Sequence, residues 1–252
     1  MSFTKFEFKP PIIAHRGASA QAPENTITAF LKAKELGINW VEFDCMLSKD
    51  HELVIIHDET LDRTSTAKGN VSDYPFSFLK TLDIGSWFDK KFSADKIINL
   101  EQLIKIVNQE KIFTNIEVKS HVGTESLTIK RLLEVLNEFW NPSNPPPLVS
   151  SFSIEILKGL RKSSKNLQLG LLMDEWIDDW QSLANELICS SINVNHDLLT
   201  RDRVKQIKNA GFILLAYTVN DPARAAQLFE FGVDAVFSDC SNEMIAYAKT
   251  IL

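Results

Sequence analysis

Apolar and polar residues alternate between two spacings along the chain. Short runs rich in Val, Ile and Leu, typical of buried β-strands, are each followed by a segment with apolar residues at helical spacing. The eight strand-like runs begin at Ile12, Trp40, Ile112, Leu148, Leu167, Ile192, Ile213 and Ala235. Because this alternation is typical of parallel strands joined by crossover helices, the pattern predicts an α/β fold, a closed (β/α)8 TIM barrel.

Helix-capping residues agree with this periodicity. Asn25 or Thr26 can cap the first helix, and Gly37 can end it. Asp221 followed by Pro222 supplies a cap and then a proline at the first helical position. The predicted helices therefore begin and end where the hydrophobic pattern places them.

One segment departs from the alternation. Leu53 to Asp58 is typical of an additional strand, and Leu61 to Asn99 has mixed turn residues without a strong period. We interpret residues 59–99, approximately, as a small insertion after strand 2, where barrel enzymes often carry loops that cover the substrate. Since no solenoid repeat or second domain is evident, residues 1–252 are predicted to form a single domain.

Composition and charge narrow the class of protein. The 252 residues are 44% hydrophobic and carry a net charge of −6, so the basic excess typical of nucleic-acid binders is absent. The sequence shows neither a signal peptide nor an apolar run of the roughly 18 residues that suggest a membrane span. Three widely spaced cysteines, Cys45, Cys189 and Cys240, fit neither a zinc site nor a disulfide scaffold, so we expect a cytoplasmic protein. Oligomeric state stays open.

Acidic residues in the second strand indicate a cation site. Glu42 and Asp44 are one residue apart in the run that begins at Trp40, so strand geometry places both carboxylates on one face. Their burial costs several kcal/mol, or shifts their pKa values, unless a cation or a proton compensates. Glu117 and Lys119 have the same spacing on the third barrel strand. Three carboxylates from two strands predict a divalent cation, Mg²⁺ or Ca²⁺, on Glu42, Asp44 and Glu117.

Two histidines also lie at the ends of predicted strands. His15 and Arg16 directly follow the first strand, and His57 closes the apolar run from Leu53. Side chains at the carboxyl ends of barrel strands face the active site, and histidines suit acid and base roles near neutral pH. Each feature alone also has a structural explanation, but their combination favours a catalytic site. Tyr217 ends another strand, where it lines either the barrel mouth or the core.

The other histidines and the insertion aromatics have simpler explanations. We interpret His51 as a solvent-facing turn residue, and His121 and His196 as loop or capping residues without a catalytic role. Trp87 and its aromatic neighbours are interpreted as local core, with an apolar cover over the barrel mouth as the alternative.

In order along nearly the whole chain, these motifs resemble the glycerophosphodiester phosphodiesterase family. The segments that carry the resemblance are His15–Gly17, Ala22–Thr26, Val41–Asp44, Leu47–Asp50, His57–Asp58, Thr60–Thr64, Gly85–Phe88, Leu100–Glu101, Glu117–Lys119, Ser151–Phe152 and Tyr217–Asn220. Two departures are visible: Tyr217 stands where the family often has tryptophan, and Ile97–Leu100 replaces a usual proline–threonine pair before leucine. The first leaves fine substrate preference open.

The resemblance implies an enzyme with a small-molecule substrate. It implies a divalent cation on the three carboxylates, acid–base catalysis by His15 and His57, and phosphate contacts from Arg16 and Lys119. The expected reaction is hydrolysis of diesters such as glycerophosphocholine or glycerophosphoethanolamine to glycerol 3-phosphate and an alcohol. Two alternatives remain: a lysophospholipase D, and a phosphate-binding barrel without turnover.

Overall fold

Eight parallel strands close into a barrel in the computed structural model, which describes residues 6–240 and 242–246. In chain order the strands are β1 (Ile12–Ala14), β2 (Trp40–Leu47), β3 (Leu53–Ile55), β4 (Phe113–Val118), β5 (Leu148–Ser151), β6 (Gln168–Met173), β7 (Ser191–Asn195), β8 (Ile213–Tyr217) and β9 (Ala235–Ser238). All of them except β3 belong to the barrel. Strand β1 closes the ring because Ile13 is in register with Trp40 of β2 and with Phe237 of β9. The predicted (β/α)8 barrel is confirmed.

Helices connect the strands on the outside of the barrel. They are α1 (Ile27–Glu35), α2 (Phe76–Leu79), α3 (Leu100–Glu110), α4 (Glu125–Phe139), α5 (Ile154–Ser163), α6 (Trp180–Glu186), α7 (Arg201–Asn209) and α8 (Pro222–Phe231). Residues 242–246 are helical as well. Except in α2, which lies in the insertion, the apolar stripes of these helices bury against the outward side chains of the strands and form the main hydrophobic core with them. Among the described residues, no helix is long and apolar enough to cross a membrane.

The caps decide where the helices begin. Thr26, rather than Asn25, caps α1, and its side chain accepts a hydrogen bond from the main-chain N–H of Ala29. Gly37, just beyond α1, has a φ of 86°. Asp221 caps α8 with Pro222 in its first turn. The capping residues predicted from the sequence are thus confirmed, and the structure selects Thr26 from the two candidates for α1.

Strand β3 lies outside the barrel, paired antiparallel with β2. It ends at Ile55, so the prediction of a strand continuing to Asp58 is wrong at its C-terminal end. Ile56 still donates a main-chain hydrogen bond to Asp44, and the chain turns away at His57. Beyond it, residues 59–99 contain α2 and short 3-10 helices. Their apolar side chains form a second core together with Met46 of β2 and Val54 of β3.

The barrel interior changes from apolar to polar along its axis. Neighbouring strands β2 and β4 show this in register, since Trp40 pairs with Phe113, and Asp44 pairs with Glu117. The Trp40 and Phe113 rings stack at a centroid distance of 5.3 Å at the amino ends of the strands. Acidic side chains occupy the carboxyl ends, where the loops of barrel enzymes form the active site.

Candidate active site

Three carboxylates converge at the carboxyl ends of β2 and β4. One oxygen from each of Glu42, Asp44 and Glu117 lies within 4.8 Å of the others. Glu42 and Asp44 are 2% and 1% exposed, so water does not screen their mutual repulsion. The sequence spacing predicted that Glu42 and Asp44 would share a face, and the β2–β4 register brings Glu117 beside Asp44.

The electrostatics of this cluster favour a bound cation. Burial raises the pKa of Glu117 to about 7, and repulsion from Asp44 adds to the effect. Burial and both neighbouring carboxylates also raise the pKa of Glu42 well above its usual value. Glu42 Oε1 is buried and has no hydrogen-bond partner among the residues that the structure describes. Carboxylate oxygens are the ligands that Mg²⁺ and Ca²⁺ prefer, so these residues fit a divalent cation.

Asp44 is the most strongly paired of the three acids. Burial opposes its ionisation, but Lys119, His57 and Arg16 hold the pKa of this carboxyl below its usual value. Lys119 Nζ lies 3.1 Å from Asp44 Oδ1 and 3.5 Å from Glu117 Oε1. It also donates a hydrogen bond to the main-chain oxygen of His57. Lys119 therefore joins the acid cluster to the loop that carries His57.

Arg16 contacts the acids through its main chain and its side chain. Its main-chain N–H donates to Glu42 Oε2 at 2.9 Å, and its Nε lies 3.6 Å from Asp44 Oδ2. One terminal nitrogen donates to Glu24 Oε1 at 2.8 Å. Asn25 completes this side of the site by donating from Nδ2 to Asp44 Oδ2 at 2.9 Å. The β1–α1 loop thus fixes the carboxylates of β2.

This loop depends on an unusual backbone. Arg16 and Gly17 have φ values of 55° and 82°, in the left-handed region that favours glycine. A Cβ at Gly17 would lie 2.7 Å from the carbonyl carbon of Ala29 in α1. Two independent features therefore require glycine at this position: its positive φ and the close approach of α1.

Each of the two predicted catalytic histidines is paired with an aspartate. Nδ1 of His15 lies 2.7 Å from Asp239 Oδ1, and Nδ1 of His57 lies 2.6 Å from Asp58 Oδ1. Hydrogen bonds from Arg63 and His57 hold the pKa of Asp58 far below its usual value. Burial opposes ionisation of Asp239, but hydrogen bonds from three side chains, the first of them His15, hold its pKa far below its usual value.

These low pKa values determine the tautomer of both imidazoles. Because Asp58 and Asp239 are ionised at neutral pH, they only accept hydrogen bonds. Nδ1 of each histidine therefore carries a proton, which leaves Nε2 unprotonated in the neutral imidazole. His15 Nε2 lies 4.0 Å from Glu42 Oε2, beside the acid cluster.

Arg63 ties the His57 loop to the β1–α1 loop. Its Nε donates to Asp58 Oδ2 at 2.7 Å, and its two terminal nitrogens donate to Glu24 at 2.6 and 2.8 Å. Arg63 also lies 5.9 Å from the ring centroid of Trp87. The two histidine-bearing loops are consequently joined by one guanidinium group.

A cavity of about 460 Å³ opens beside the histidines. It is lined by His15, Arg16, His57, Glu59, Glu117, Val118, Lys119, Ser120, Ser151, Phe152, Ser153, Tyr217 and Thr218. Tyr217 thus lies at the barrel mouth, with its ring perpendicular to that of Phe152 at 5.9 Å. Trp87 does not line this cavity and donates instead to the main-chain oxygen of Ile84. His51, His121 and His196 are also absent from its lining.

Sequence reasoning brought the predicted site residues together but missed their partners. One cavity is lined by six of the predicted residues, His15, Arg16, His57, Glu117, Lys119 and Tyr217. Glu42 and Asp44 lie beside it. The partners without a predicted role in the site were Glu24, Asn25, Asp58, Arg63 and Asp239. Asp239 did carry a signal, since it directly follows the last barrel strand. Strand closure places that position beside β1, which leads into His15.

Acids, bases and cations at the carboxyl face of a parallel barrel define a TIM-barrel enzyme. The model of the "Glycerophosphoryl diester phosphodiesterase family" matches residues 15–243. A glycerophosphodiester phosphodiesterase of Caldanaerobacter subterraneus subsp. tengcongensis is 31% identical over 237 residues, which cover 94% of this chain and 97% of that protein. The chain belongs to the glycerophosphoryl diester phosphodiesterase family and is a phosphoric diester hydrolase.

Solved structures agree with this assignment. An Oleispira antarctica phosphodiesterase, determined in complex with the product sn-glycerol-3-phosphate, has a TM-score of 0.92 and 35% identity. The match covers 95% of this chain and 97% of that one. Glycerophosphodiester phosphodiesterase from Thermotoga maritima has a TM-score of 0.76 and 25% identity, covering 96% and 99%. The predicted family membership is confirmed.

Proposed function

We propose that the protein hydrolyses glycerophosphodiesters, such as glycerophosphocholine and glycerophosphoethanolamine, to glycerol 3-phosphate and an alcohol. The observation that carries this proposal is the pairing of His15 and His57 with aspartates around one cavity, beside a three-carboxylate cluster. The product complex of the Oleispira antarctica phosphodiesterase, the similar structure at 35% identity, supports the same substrate class. Residues 59–99 and the barrel act as one domain in this proposal, because Arg63 bonds Glu24.

Glu42, Asp44 and Glu117 would hold the divalent cation, Mg²⁺ or Ca²⁺. When bound, such an ion neutralises negative charge that develops on the phosphoryl oxygens. Arg16 and Lys119 line the same cavity and contribute positive charge there. Fixed cations of this kind stabilise the transition state because they need no reorganisation during the reaction.

The two histidines perform the proton transfers. Nε2 of the first histidine removes the proton of the glycerol 2-hydroxyl, and that oxygen attacks phosphorus as the bond to the leaving alcohol breaks. The second histidine donates its Nε2 proton to the leaving oxygen. A five-membered cyclic phosphate remains. Water then opens the ring with the histidine roles exchanged, which restores both histidines and yields glycerol 3-phosphate.

We assign His15 as the first base and His57 as the first acid. Burial lowers the pKa of His57, Asp44 and Asp58 oppose this shift, and the positive charges of Lys119 and Arg16 add to it. A lowered pKa makes the protonated imidazole of His57 a stronger acid toward the leaving alcohol, and it also makes that protonated form less abundant at neutral pH. His15 accordingly takes the base role, with Asp239 positioned to stabilise the imidazolium that forms.

Replacement of each histidine tests the assignment. His15→Ala and His57→Ala should each lower kcat on glycerophosphocholine by about 10²- to 10⁴-fold. On glycerol 3-(4-nitrophenyl phosphate), whose leaving group needs no proton, His57→Ala should recover most of its activity and His15→Ala should not. Recovery of activity by His15→Ala alone would show that His15 is the first acid and His57 the first base. Full activity of His57→Ala on glycerophosphocholine would contradict the mechanism.

A competition assay separates this function from its two alternatives. Charged and polar residues dominate the cavity lining, so glycerophosphocholine should be preferred over lysophosphatidylcholine. A strong preference for the lipid would instead identify a lysophospholipase D. Tight binding of both diesters without product release would indicate a phosphate-binding barrel.

A further inference from the structure

The charged groups of the cavity are unequally paired. Arg16 forms ion pairs with Glu24 and Asp44, and Lys119 forms ion pairs with Asp44 and Glu117. Both positively charged side chains of the lining are therefore paired with carboxylates. Glu59 lines the same cavity, is exposed, and has no ion pair with any described residue. One negative charge of the lining therefore remains available to a ligand.

An exposed aromatic ring lines the same cavity. Phe152 directly follows β5 and is 46% exposed, although large apolar side chains are usually covered. Tyr217 supports the ring from one side in an edge contact at 5.9 Å. Exposed aromatic rings attract ammonium groups through the negative face of the π system.

The proposed mechanism places the leaving alcohol beside His57, in the cavity that Glu59 and Phe152 also line. His57 protonates the leaving oxygen, and Glu59 lies two residues further along the same loop. We infer that this part of the cavity is a subsite for a cationic head group, in which Glu59 and Phe152 hold an ammonium or trimethylammonium. The inference rests on the proposed function, since it names which alcohols that reaction releases most efficiently.

A pair of substrates that differ only in charge tests the subsite. Glycerophosphocholine is compared with the 3,3-dimethylbutyl ester, in which carbon replaces the quaternary nitrogen. The wild type should prefer the choline ester in kcat/KM by about 3- to 30-fold, the range that an exposed ion pair and a cation–π contact give together. The preference should weaken at about 0.5 M salt, because salt screens exposed charges.

Two variants of the subsite and one matched control complete the test. Glu59→Gln and Phe152→Leu should each reduce the preference for the choline ester by about 2- to 5-fold. Each substitution should lower the kcat/KM for the choline ester more than the kcat/KM for the uncharged ester. Glu186→Gln removes the same charge from an exposed position outside the cavity lining and should preserve the preference.

Equilibrium binding separates failure of the subsite from failure of the reaction. Both diesters are titrated into His57→Ala, and the choline ester should bind more tightly by a similar factor. Hydrolysis of both esters with equal kcat/KM, or an unchanged preference in Glu59→Gln and Phe152→Leu, would overturn the subsite alone. Tighter binding of the choline ester without hydrolysis by the wild type would support the subsite and contradict the proposed function. Neither hydrolysis nor binding would contradict both.

Discussion

Asp239 accepts a hydrogen bond from Nδ1 of His15 at 2.7 Å, across the seam where β9 closes the barrel against β1. The same carboxylate accepts from Ser19 Oγ at 2.9 Å and from Asn220 Nδ2 at 2.8 Å. Three donors therefore fix its orientation. We propose that Asp239 is a positioning residue, because its hydrogen bond would hold the tautomer and the direction of the imidazole and its side chain does not line the cavity.

Asp239→Asn should lower kcat by about 10- to 1,000-fold, because an amide can donate to Nδ1 and select the wrong tautomer. KM should change little, since the side chain does not line the cavity. Steady-state kinetics on glycerophosphocholine provide the measurement. Ser19→Ala removes one hydrogen bond to the carboxylate but leaves the charge, and it should cost less than about 5-fold. A wild-type kcat in Asp239→Asn would exclude the positioning role.

The sequence predicted the barrel and the shared face of Glu42 and Asp44 because both depend on local periodicity. Strand alternation places Glu42 beside Asp44 whatever the register of the sheet. The pair formed by His15 and Asp239 is different, since 224 residues separate them. Their contact depends on the exact register at barrel closure, and strand ends read from sequence are uncertain by a few residues.

The sequence also did not predict that the two positively charged side chains of the cavity are paired with carboxylates. Arg16 and Lys119 were predicted to contact phosphate, and the structure shows that both also contact buried carboxylates. A left-handed φ of 55° directs the Arg16 N–H to Glu42. Such backbone conformations follow from tertiary packing, here the approach of α1 to Gly17, and no residue pattern specifies them.

Arg63 should stabilise the protein only above acidic pH. In the folded protein the pKa values of Glu24 and Asp58 lie below their usual values. Burial alone would raise the pKa of Glu24, but hydrogen bonds from Arg63 lower it. Such acids stabilise the fold above their unfolded pKa values of about 4, and the stabilisation is lost as the pH falls through the folded values. Arg63→Gln should therefore lower the unfolding free energy by about 1 kcal/mol at pH 7, after allowance for solvent screening.

Urea denaturation at several pH values measures this difference. The gap between wild type and Arg63→Gln should shrink as the pH is lowered from about 5 towards 2. Lys68→Gln is the matched control, since the exposed Lys68 side chain contacts Asp62 through an ion pair at 3.6 Å and a hydrogen bond to its main-chain oxygen at 3.1 Å. A gap that stays constant with pH would show that the Arg63 contacts stabilise the fold by packing alone.

Glu42→Gln should have opposite effects on stability with and without a divalent cation. In metal-free protein at pH 8 the change removes one of three mutually repelling buried acids, so the variant should unfold at a higher temperature than the wild type. A cation at about 100 times its Kd should stabilise the wild type by about 2.7 kcal/mol and the variant by much less. Thermal unfolding with EDTA, Mg²⁺ or Ca²⁺ measures both effects. An equal response of the two proteins to each cation would place metal binding elsewhere.

Gly17 and Gly37 form a matched pair for testing the β1–α1 loop. Both have left-handed φ values, 82° and 86°. A Cβ added to Gly17 would lie 2.7 Å from Ala29, whereas a Cβ added to Gly37 would have no described atom within 4 Å. Gly37→Ala should cost about 1–2 kcal/mol from backbone strain. Gly17→Ala should cost a further 1–3 kcal/mol, approximately, from overpacking against α1. It should also lower kcat/KM, because Arg16 and His15 precede it. Equal unfolding free energies of the two variants would refute the close-approach argument.

Release of glycerol 3-phosphate from glycerophosphocholine tests the central claim most directly. Purified wild type and Glu42→Ala are assayed after EDTA treatment and again with Mg²⁺ or Ca²⁺ restored. The account predicts product only from the wild type with cation, because Glu42, Asp44 and Glu117 are expected to hold the ion together. Undiminished release by the wild type in EDTA, or by Glu42→Ala, would contradict the account.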